Sequence, residues 1–267
     1  MLSGVASFRM YNASVCTTEA WQSLFEKLFL ELGLTVEIIR HAWPLQLSTL
    51  WERKDLVCGF MCGWPFTGET GSNVVALAAP VPAPVSYEGL PRYRSEFLVR
   101  KDSPALSLVE SLGTRIGWMS EDSQSGYQAP RATLGALLVG PRLFSASIGP
   151  LHTPKRALEA LDRAEIDITA VDSFYLDLLR CHAPEHLANF RTVHYTEWTP
   201  IPLLVAARTR PAQEINAIRE ALLSLHLRSE YHELLSQVLV REFRLPDVSA
   251  YGMLRTMAAR FPEYQLT

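Results

Sequence analysis

The chain has 267 residues, of which 48% are hydrophobic and 20% charged, so it can bury one large α/β core or two smaller ones. Its formal net charge is -3 and its arginines and lysines are scattered, which argues against a nucleic-acid-binding surface. No apolar run approaches the ~18 residues that a membrane-spanning helix requires, so no membrane span is predicted.

Known catalytic motifs are missing from the sequence. It contains no Gly-x-Ser-x-Gly elbow, no His-Glu-x-x-His pair and no P-loop, so we predict no catalytic group and no cofactor. Cys16, Cys58, Cys62 and Cys181 lack metal-ligand spacing; we expect buried thiols and no metal, with a Cys58–Cys62 disulfide as the alternative. The N-terminus lacks signal-peptide features, which predicts a cytoplasmic protein as written, or a periplasmic one if a leader was removed.

The first 80 residues alternate between strand-like and helix-like segments, which predicts a mostly parallel sheet flanked by helices. Thr18 is expected to cap the first helix and Gly33 to end it. The buried face of this helix should consist of Trp21, Leu24, Phe25 and Leu28. The predicted strands are 5–10, 35–40 and 55–60, with a short helix over 44–52.

A proline-rich stretch over residues 80–91 separates this series from a second one, and its four prolines argue against a strand or helix there. Thr153 should cap a helix that begins with Pro154. The other predicted elements are strands 95–100, 115–119, 166–171 and 201–207, a helix from Gly126 to Leu138, and C-terminal helices over about 211–227, 229–241 and 247–260.

A polar turn lies between the predicted strand 115–119 and the helix that follows it. Ser123 and Ser125 supply hydroxyls, and the backbone N–H groups there meet the positive end of a helix dipole, which favours an oxyanion. Gly126 has no Cβ, so a ligand could approach the backbone closely. The alternative is a turn that only caps the helix and binds nothing.

Several segments resemble, in order, the phosphonate-type periplasmic binding proteins of the type 2 solute-binding superfamily. The similarity covers about residues 5 to 210. It is carried by Cys62–Phe66, Tyr93–Ser95, Leu98–Ser103, Leu112–Ile116, Ser123–Tyr127, His152, Ala170–Ser173 and Trp198–Pro202.

The resemblance implies a two-lobed α/β fold, each lobe a mostly parallel sheet flanked by helices, joined by two crossover strands with a ligand cleft between the lobes. The first lobe would comprise residues 1–93 and 199–267, and the second residues 94–198. The implied function is a solute-binding protein, either for an ABC permease or as a sensor, and such proteins are commonly monomeric. The runner-up is a small-molecule biosynthetic enzyme on the same fold.

The resemblance also implies a binding site for a small anionic or zwitterionic ligand. Ser123, Gln124, Ser125 and Gly126 would hold its acidic head, and Tyr93 would contact it from the first crossover. His152 and Asp172 would contact it from the second lobe. An anion near Asp172 needs a compensating cation, as in an aminophosphonate.

The alternatives to ligand contact are a surface or capping role for His152 and a helix-capping role for Asp172. Tyr11 and Trp64 follow predicted strands and could wall the pocket, although aromatic core packing is the alternative for both. Arg92 and Arg94 could pair with an anion or remain solvated.

Overall fold

The computed structural model describes residues 4–137 and 142–266. It divides the chain into two compact units, one of Met1–Arg92 with Pro200–Tyr251 and one of Tyr93–Thr199 with Gly252–Thr267. The chain therefore passes between units after Arg92, Thr199 and Tyr251, where the sequence predicted two passages. Within the described ranges, no helix is long and apolar enough to cross a membrane.

Strands and helices alternate along much of the chain. The strands are β1 (Gly4–Ser7), β2 (Val36–Ile38), β3 (Leu56–Met61), β4 (Val74–Pro82), β5 (Arg92–Tyr93), β6 (Ser95–Arg100), β7 (Arg115–Gly117), β8 (Ala146–Ile148), β9 (Ile168–Asp172), β10 (Phe190–Tyr195), β11 (Thr199–Pro200), β12 (Leu203–Ala207) and β13 (Val240–Arg244). The α-helices are α1 (Val15–Glu31), α2 (Leu47–Trp51), α3 (Gly63–Phe66), α4 (Ala129–Gly135), α5 (Pro154–Asp162), α6 (Ser173–His182), α7 (Ala212–Ser224), α8 (His232–Gln237) and α9 (Gly252–Ala259).

The sheets of both units are mixed, which corrects the prediction of mostly parallel sheets. In the first unit the strand order is β13-β4-β12-β3-β1-β2; β1 pairs in parallel with β2 and β3, and the remaining pairs are antiparallel. In the second unit the order is β10-β6-β9-β7-β8, with β7 parallel to β8 and β9 and the remaining pairs antiparallel. The parallel strands of each sheet are connected through helices or long loops, whereas β6 runs opposite to the other strands of its sheet, and β12 and β13 run opposite to the other strands of theirs.

The proline-rich stretch begins inside a strand, because β4 runs through Pro80 to Pro82. β12 pairs with the first part of β4 only as far as Ala78, whereas β13 pairs with its last part, from Ala79 to Pro82. The prolines thus lie where β4 has a strand neighbour on one side only, and a missing N–H is tolerated there. The sequence prediction that excluded a strand here was wrong.

The predicted helix over 229–241 was also wrong at its end, since α8 stops at Gln237 and β13 begins at Val240. Val240 and Phe243 are buried while Arg241 and Arg244 are exposed. Residues 240–244 form a strand because they pair with β4. A partner so distant in the sequence cannot be predicted from local periodicity.

Helix caps follow elementary hydrogen-bonding rules. α1 begins after Ser14, whose side chain accepts a hydrogen bond from the Thr17 N–H while Thr17 caps Ser14 in return, so the predicted Thr18 cap was wrong. The predicted Thr153 cap before Pro154 is confirmed, because Thr153 Oγ1 accepts the Arg156 N–H at 3.2 Å. Gly33 ends α1 with a φ of 64°, as expected of a left-handed cap.

Each unit has its own aromatic core. In the first unit the predicted face of α1 is buried, and Phe25 stacks on Phe8 with ring centroids 4.0 Å apart. The second unit buries Phe97, Ile116, Trp118 and Tyr127 in a single cluster. Cys58 and Cys62 are buried as predicted, whereas Cys16 and Cys181 are exposed, which corrects that expectation.

Candidate functional site

The candidate site is built where the parallel strands of the second unit end. β7 and β9 run parallel, so their carboxyl ends lie at the same edge of the sheet. In open α/β sheets, ligands bind at this edge. The Ser123 turn follows β7 along the chain, and Asp172 is the last residue of β9.

The turn itself is a π-helical turn, Gln124–Gln128, that continues directly into α4. The helix predicted from Gly126 therefore starts two residues earlier, and its α-helical part ends at Gly135; its predicted end at Leu138 lies outside the described residues. The Ser123 hydroxyl accepts the Gly126 N–H at 3.0 Å, which is the capping role considered from the sequence. A hydroxyl that accepts in this way still has its own proton to donate to an oxyanion.

Ser95 holds the turn against the sheet. Its hydroxyl donates to the main-chain oxygen of Ser125 at 2.7 Å, and its backbone lies opposite Asp172 in the β6–β9 pairing. Ser125 and Gln124 are both buried, with 8% and 0% of the residue exposed. The strand pairing and this one hydrogen bond bring Ser125 and Asp172 to the same part of the second unit.

Met119 connects the turn with His152. Its N–H donates to the Gly126 carbonyl oxygen at 3.2 Å, and its own carbonyl oxygen accepts the His152 N–H at 3.1 Å. His152 has a φ of 67°, a left-handed conformation that is uncommon for a residue other than glycine and that often occurs at functional sites. The sequence pattern indicated no role for Met119 or Ser95, although Ser95 belongs to a segment that carried the resemblance.

The structure gives a different reason for the glycine at position 126. A Cβ there would lie 2.6 Å from Cγ and Sδ of Met119 and 2.7 Å from its Cβ. The glycine is therefore needed for packing against Met119. The sequence had indicated only that a missing Cβ would let a ligand approach the backbone.

Replacing Gly126 by alanine should destabilise the protein by roughly 1–3 kcal/mol, because overpacking forces Met119 to move. The same movement should weaken ligand binding, since Met119 holds both the turn and His152. Thermal unfolding and ligand titration would measure the two effects. Gly252→Ala is the matched control, because nothing lies within 4 Å of a Cβ at Gly252. A Gly126→Ala protein as stable as that control would contradict the packing argument.

The surroundings of His152 favour the neutral form of its imidazole. Burial, followed by the nearby Arg156 guanidinium, lowers its pKa below the ordinary value, and Asp122 opposes this effect more weakly. A neutral imidazole can still donate one hydrogen bond, and an anion beside it would favour the charged form.

Asp172 caps α6, which is the alternative considered from the sequence. One of its carboxylate oxygens accepts the N–H groups of Phe174 at 2.7 Å and Tyr175 at 3.0 Å. Burial, and secondarily this carboxylate, raises the pKa of the Tyr175 hydroxyl. The capping role uses one oxygen and leaves the negative charge of Asp172 in place.

The segments near the passages between units carry Tyr93 and two arginines. Tyr93 is buried, and its carbonyl oxygen accepts the Thr199 hydroxyl at 3.4 Å. The Arg94 guanidinium lies 3.7 Å from the Tyr195 ring centroid and 4.5 Å from that of Trp198, and such cation–π contacts hold an arginine in place.

Arg92 forms an ion pair with Glu88 at 2.9 Å. Both arginines thus have partners within their own unit that the sequence did not predict.

The two site residues predicted in the first unit differ in exposure. Tyr11 is only 1% exposed, and its ring packs edge-on against Phe60 with centroids 4.9 Å apart, as the core alternative expects. Trp64 is half-buried in α3, where its carbonyl oxygen accepts the Thr67 hydroxyl at 2.9 Å.

The structure thus places the turn over residues 123–126, His152 and Asp172 around β6, β7 and β9, whereas Tyr93 lies in β5. Over residues 4–137 and 142–266, no group of three His, Cys, Asp or Glu side chains is arranged to hold a metal ion. The chemistry available at the turn consists of hydroxyls, main-chain N–H groups and a histidine, which suits an anionic ligand.

Comparison with known proteins gives one family. A family model described as ABC transporter, phosphonate, periplasmic substrate-binding protein matches residues 10–251. A comparison with curated protein sequences gives no match.

Solved structures share the fold over nearly the whole chain. PhnD1 from Prochlorococcus marinus in complex with methylphosphonate is 15% identical, with a TM-score of 0.77 and 98% of this chain and 99% of that chain covered. A binding-protein component of an ABC phosphonate transporter from Pseudomonas aeruginosa is 16% identical, with a TM-score of 0.77 and 97% and 87% covered. A Xanthomonas citri protein bound to ATP is 18% identical, with a TM-score of 0.67 and 99% of each chain covered. These neighbours confirm the predicted two-lobed α/β fold.

Proposed function

Since the chain belongs to the family of periplasmic substrate-binding proteins of ABC phosphonate transporters, we propose that its second unit binds the acidic head of a small phosphonate-type ligand. The family assignment confirms the resemblance seen in the sequence. The residues that bind are Ser123, Ser125 and the main-chain N–H groups that begin the Gln124–Gln128 turn, with His152 beside them. The observation that carries this proposal is the turn itself, whose hydroxyls and N–H groups lie at the positive end of a helical segment.

The ligand is anionic or zwitterionic. The turn favours the negative head, and the buried Asp172 carboxylate favours an amino group elsewhere on the same molecule. Tyr93 of the second unit and Tyr11 and Trp64 of the first remain predicted contacts for the rest of the ligand.

Titration calorimetry tests the proposal directly. Methylphosphonate, an aminoalkylphosphonate and inorganic phosphate should bind, and a neutral dialkyl phosphonate ester should not. If Asp172 recognises an amino group, the aminoalkylphosphonate should bind more tightly than methylphosphonate, and Asp172→Asn should remove that preference. Failure of all three anions to bind would overturn the proposal. Native mass spectrometry of freshly purified protein would identify any ligand that co-purifies.

The protein binds without catalysing a reaction, and it delivers its ligand to an ABC permease in the periplasm. The family description supports this role, and the sequence contains none of the catalytic motifs sought above. Phosphorus NMR of the ligand incubated with the protein should show no new signal over time. Appearance of inorganic phosphate would favour the enzyme alternative.

The affinity for methylphosphonate should depend on pH through His152. In the unliganded protein its pKa lies below the ordinary value. A bound anion would raise that pKa, so the contribution of His152 should be fully present below the unliganded pKa. It should be lost as pH rises through the pKa of the complex.

We therefore expect the ratio of wild-type to His152→Asn affinity to increase as pH falls through the pKa of His152 in the complex. Asparagine tolerates the left-handed backbone and does not titrate, and the ionisation of the ligand cancels in the ratio. Titrations between about pH 5 and 8 measure this ratio. Parallel curves for the two proteins would show that His152 does not contact the anion.

A further inference from the structure

The last residues of the chain are built into the unit that carries the anion site. The C-terminal segment, Gly252 to Leu266, leaves the first unit after Tyr251 and belongs to the second. Tyr264 and Leu266 are buried in the same core cluster as Trp118 and Tyr127. The sequence predicted that this segment belongs to the first lobe. It belongs to the second unit instead, because Tyr264 and Leu266 pack in the core of that unit.

Arg131 of α4 fastens the C-terminal segment. Its side chain is 6% exposed, and its guanidinium donates to the main-chain oxygens of Ala258, Phe261 and Tyr264, the last two at 2.7 and 3.0 Å. These acceptors are neutral carbonyl groups, and a buried guanidinium is costly without such partners. The approach is also close at Gly135, where a Cβ would lie 2.6 Å from Cβ of Phe261.

Two contacts extend from this anchor into the anion-binding turn. The Tyr127 hydroxyl donates to Oε1 of Gln265 at 3.0 Å. Arg131 Nε donates to Oε1 of Gln128 at 3.4 Å, and Gln128 Nε2 in turn donates to the Glu121 carbonyl oxygen at 2.6 Å. Tyr127 and Gln128 are the last two residues of the π-helical turn, so the C-terminal segment restrains the turn from its far side.

We propose that the C-terminal segment is a positioning element of the anion site, acting on the Gln124–Gln128 turn through the Gln265–Tyr127 and Arg131–Gln128 contacts. The inference rests on the proposed function of that turn. A π-helical turn is rare, and such turns occur frequently at functional sites. The direction of its N–H groups, and hence its affinity for an anion, is set by residues more than a hundred positions away in the sequence.

Removal of one hydrogen bond tests the contact. Tyr127→Phe and Gln265→Leu should each weaken methylphosphonate binding by roughly 3- to 10-fold, the effect expected from one net hydrogen bond. Gln265→Glu keeps an acceptor for the Tyr127 hydroxyl and should restore most of the affinity. The matched control is Tyr231→Phe, which removes a comparable bond from a buried tyrosine hydroxyl to Glu31 at 2.8 Å in the first unit. That control should leave binding unchanged.

Hydrogen exchange of the unliganded protein supplies a readout that does not depend on the ligand. Amides of residues 124–128 should exchange faster in Tyr127→Phe and Gln265→Leu, but not in Gln265→Glu or Tyr231→Phe. Unchanged exchange and unchanged affinity in the first two variants would overturn the inference. If wild-type protein binds no phosphonate or phosphate, the proposed function fails, and the exchange rates still decide whether the segment positions the turn.

Discussion

Replacing both Ser123 and Ser125 by alanine should lower the affinity for methylphosphonate by about 100-fold or more. Each hydroxyl that donates to a charged oxygen contributes roughly 1.5–3 kcal/mol, and a factor of ten corresponds to about 1.4 kcal/mol. Ser123 carries a second cost, because its hydroxyl also accepts the Gly126 N–H at 3.0 Å and so shapes the turn. Titration calorimetry of the double variant would measure the loss.

The matched control is Ser14→Ala. Ser14 caps α1 in the first unit as Ser123 caps the π-helical turn, with its hydroxyl accepting the Thr17 N–H at 3.1 Å. Removing that cap should cost about 1 kcal/mol of stability and leave ligand affinity unchanged. Equal affinity of the Ser123/Ser125 double variant and the Ser14 control would show that the two hydroxyls do not bind the anion.

Replacing Arg180 by methionine should destabilise the protein by about 3 kcal/mol. Arg180 binds the Glu96 carboxylate through two N–H groups at 2.9 and 2.7 Å, and Glu96 is only 3% exposed. Without Arg180 the buried Glu96 carboxylate still accepts the Thr192 hydroxyl at 2.6 Å, but it loses the cation that compensates its charge. Urea unfolding would measure the change as a lower midpoint at unchanged slope. Because β6 also carries Ser95, whose hydroxyl holds the anion-binding turn, the variant also tests whether the site depends on the stability of β6.

Two comparisons make this prediction specific. Arg53→Met breaks a similar pair with Asp55, at 2.9 and 2.7 Å, but both side chains are at least 40% exposed, so the cost should stay below about 1 kcal/mol. Adding Glu96→Gln to Arg180→Met should recover part of the loss, because no uncompensated charge then remains buried. A loss no greater than that of Arg53→Met would contradict the assigned role.

Local sequence patterns predicted the elements whose determinants lie within a few residues. The alternating residues 95–100 coincide with β6, and the Thr153-Pro154 signal marks the start of α5. Both rest on contacts between near neighbours, either side-chain alternation or a capping hydroxyl. The family was predicted correctly for a similar reason, because a short motif such as 123–127 carries its hydrogen-bonding groups on adjacent positions. The sequence by itself therefore determined the α/β class, the family and the position of the candidate anion turn.

Only the tertiary structure decided features that depend on distant partners. β4 continues through Pro80 because β12 stops pairing at Ala78, and β13 is a strand because β4 offers it an edge. Gly126 is required by Met119, seven residues earlier, and the turn is restrained by Gln265 near the other end of the sequence. Periodicity predicts which face of a helix or strand is buried. It does not predict which other element covers that face, since this depends on long-range packing.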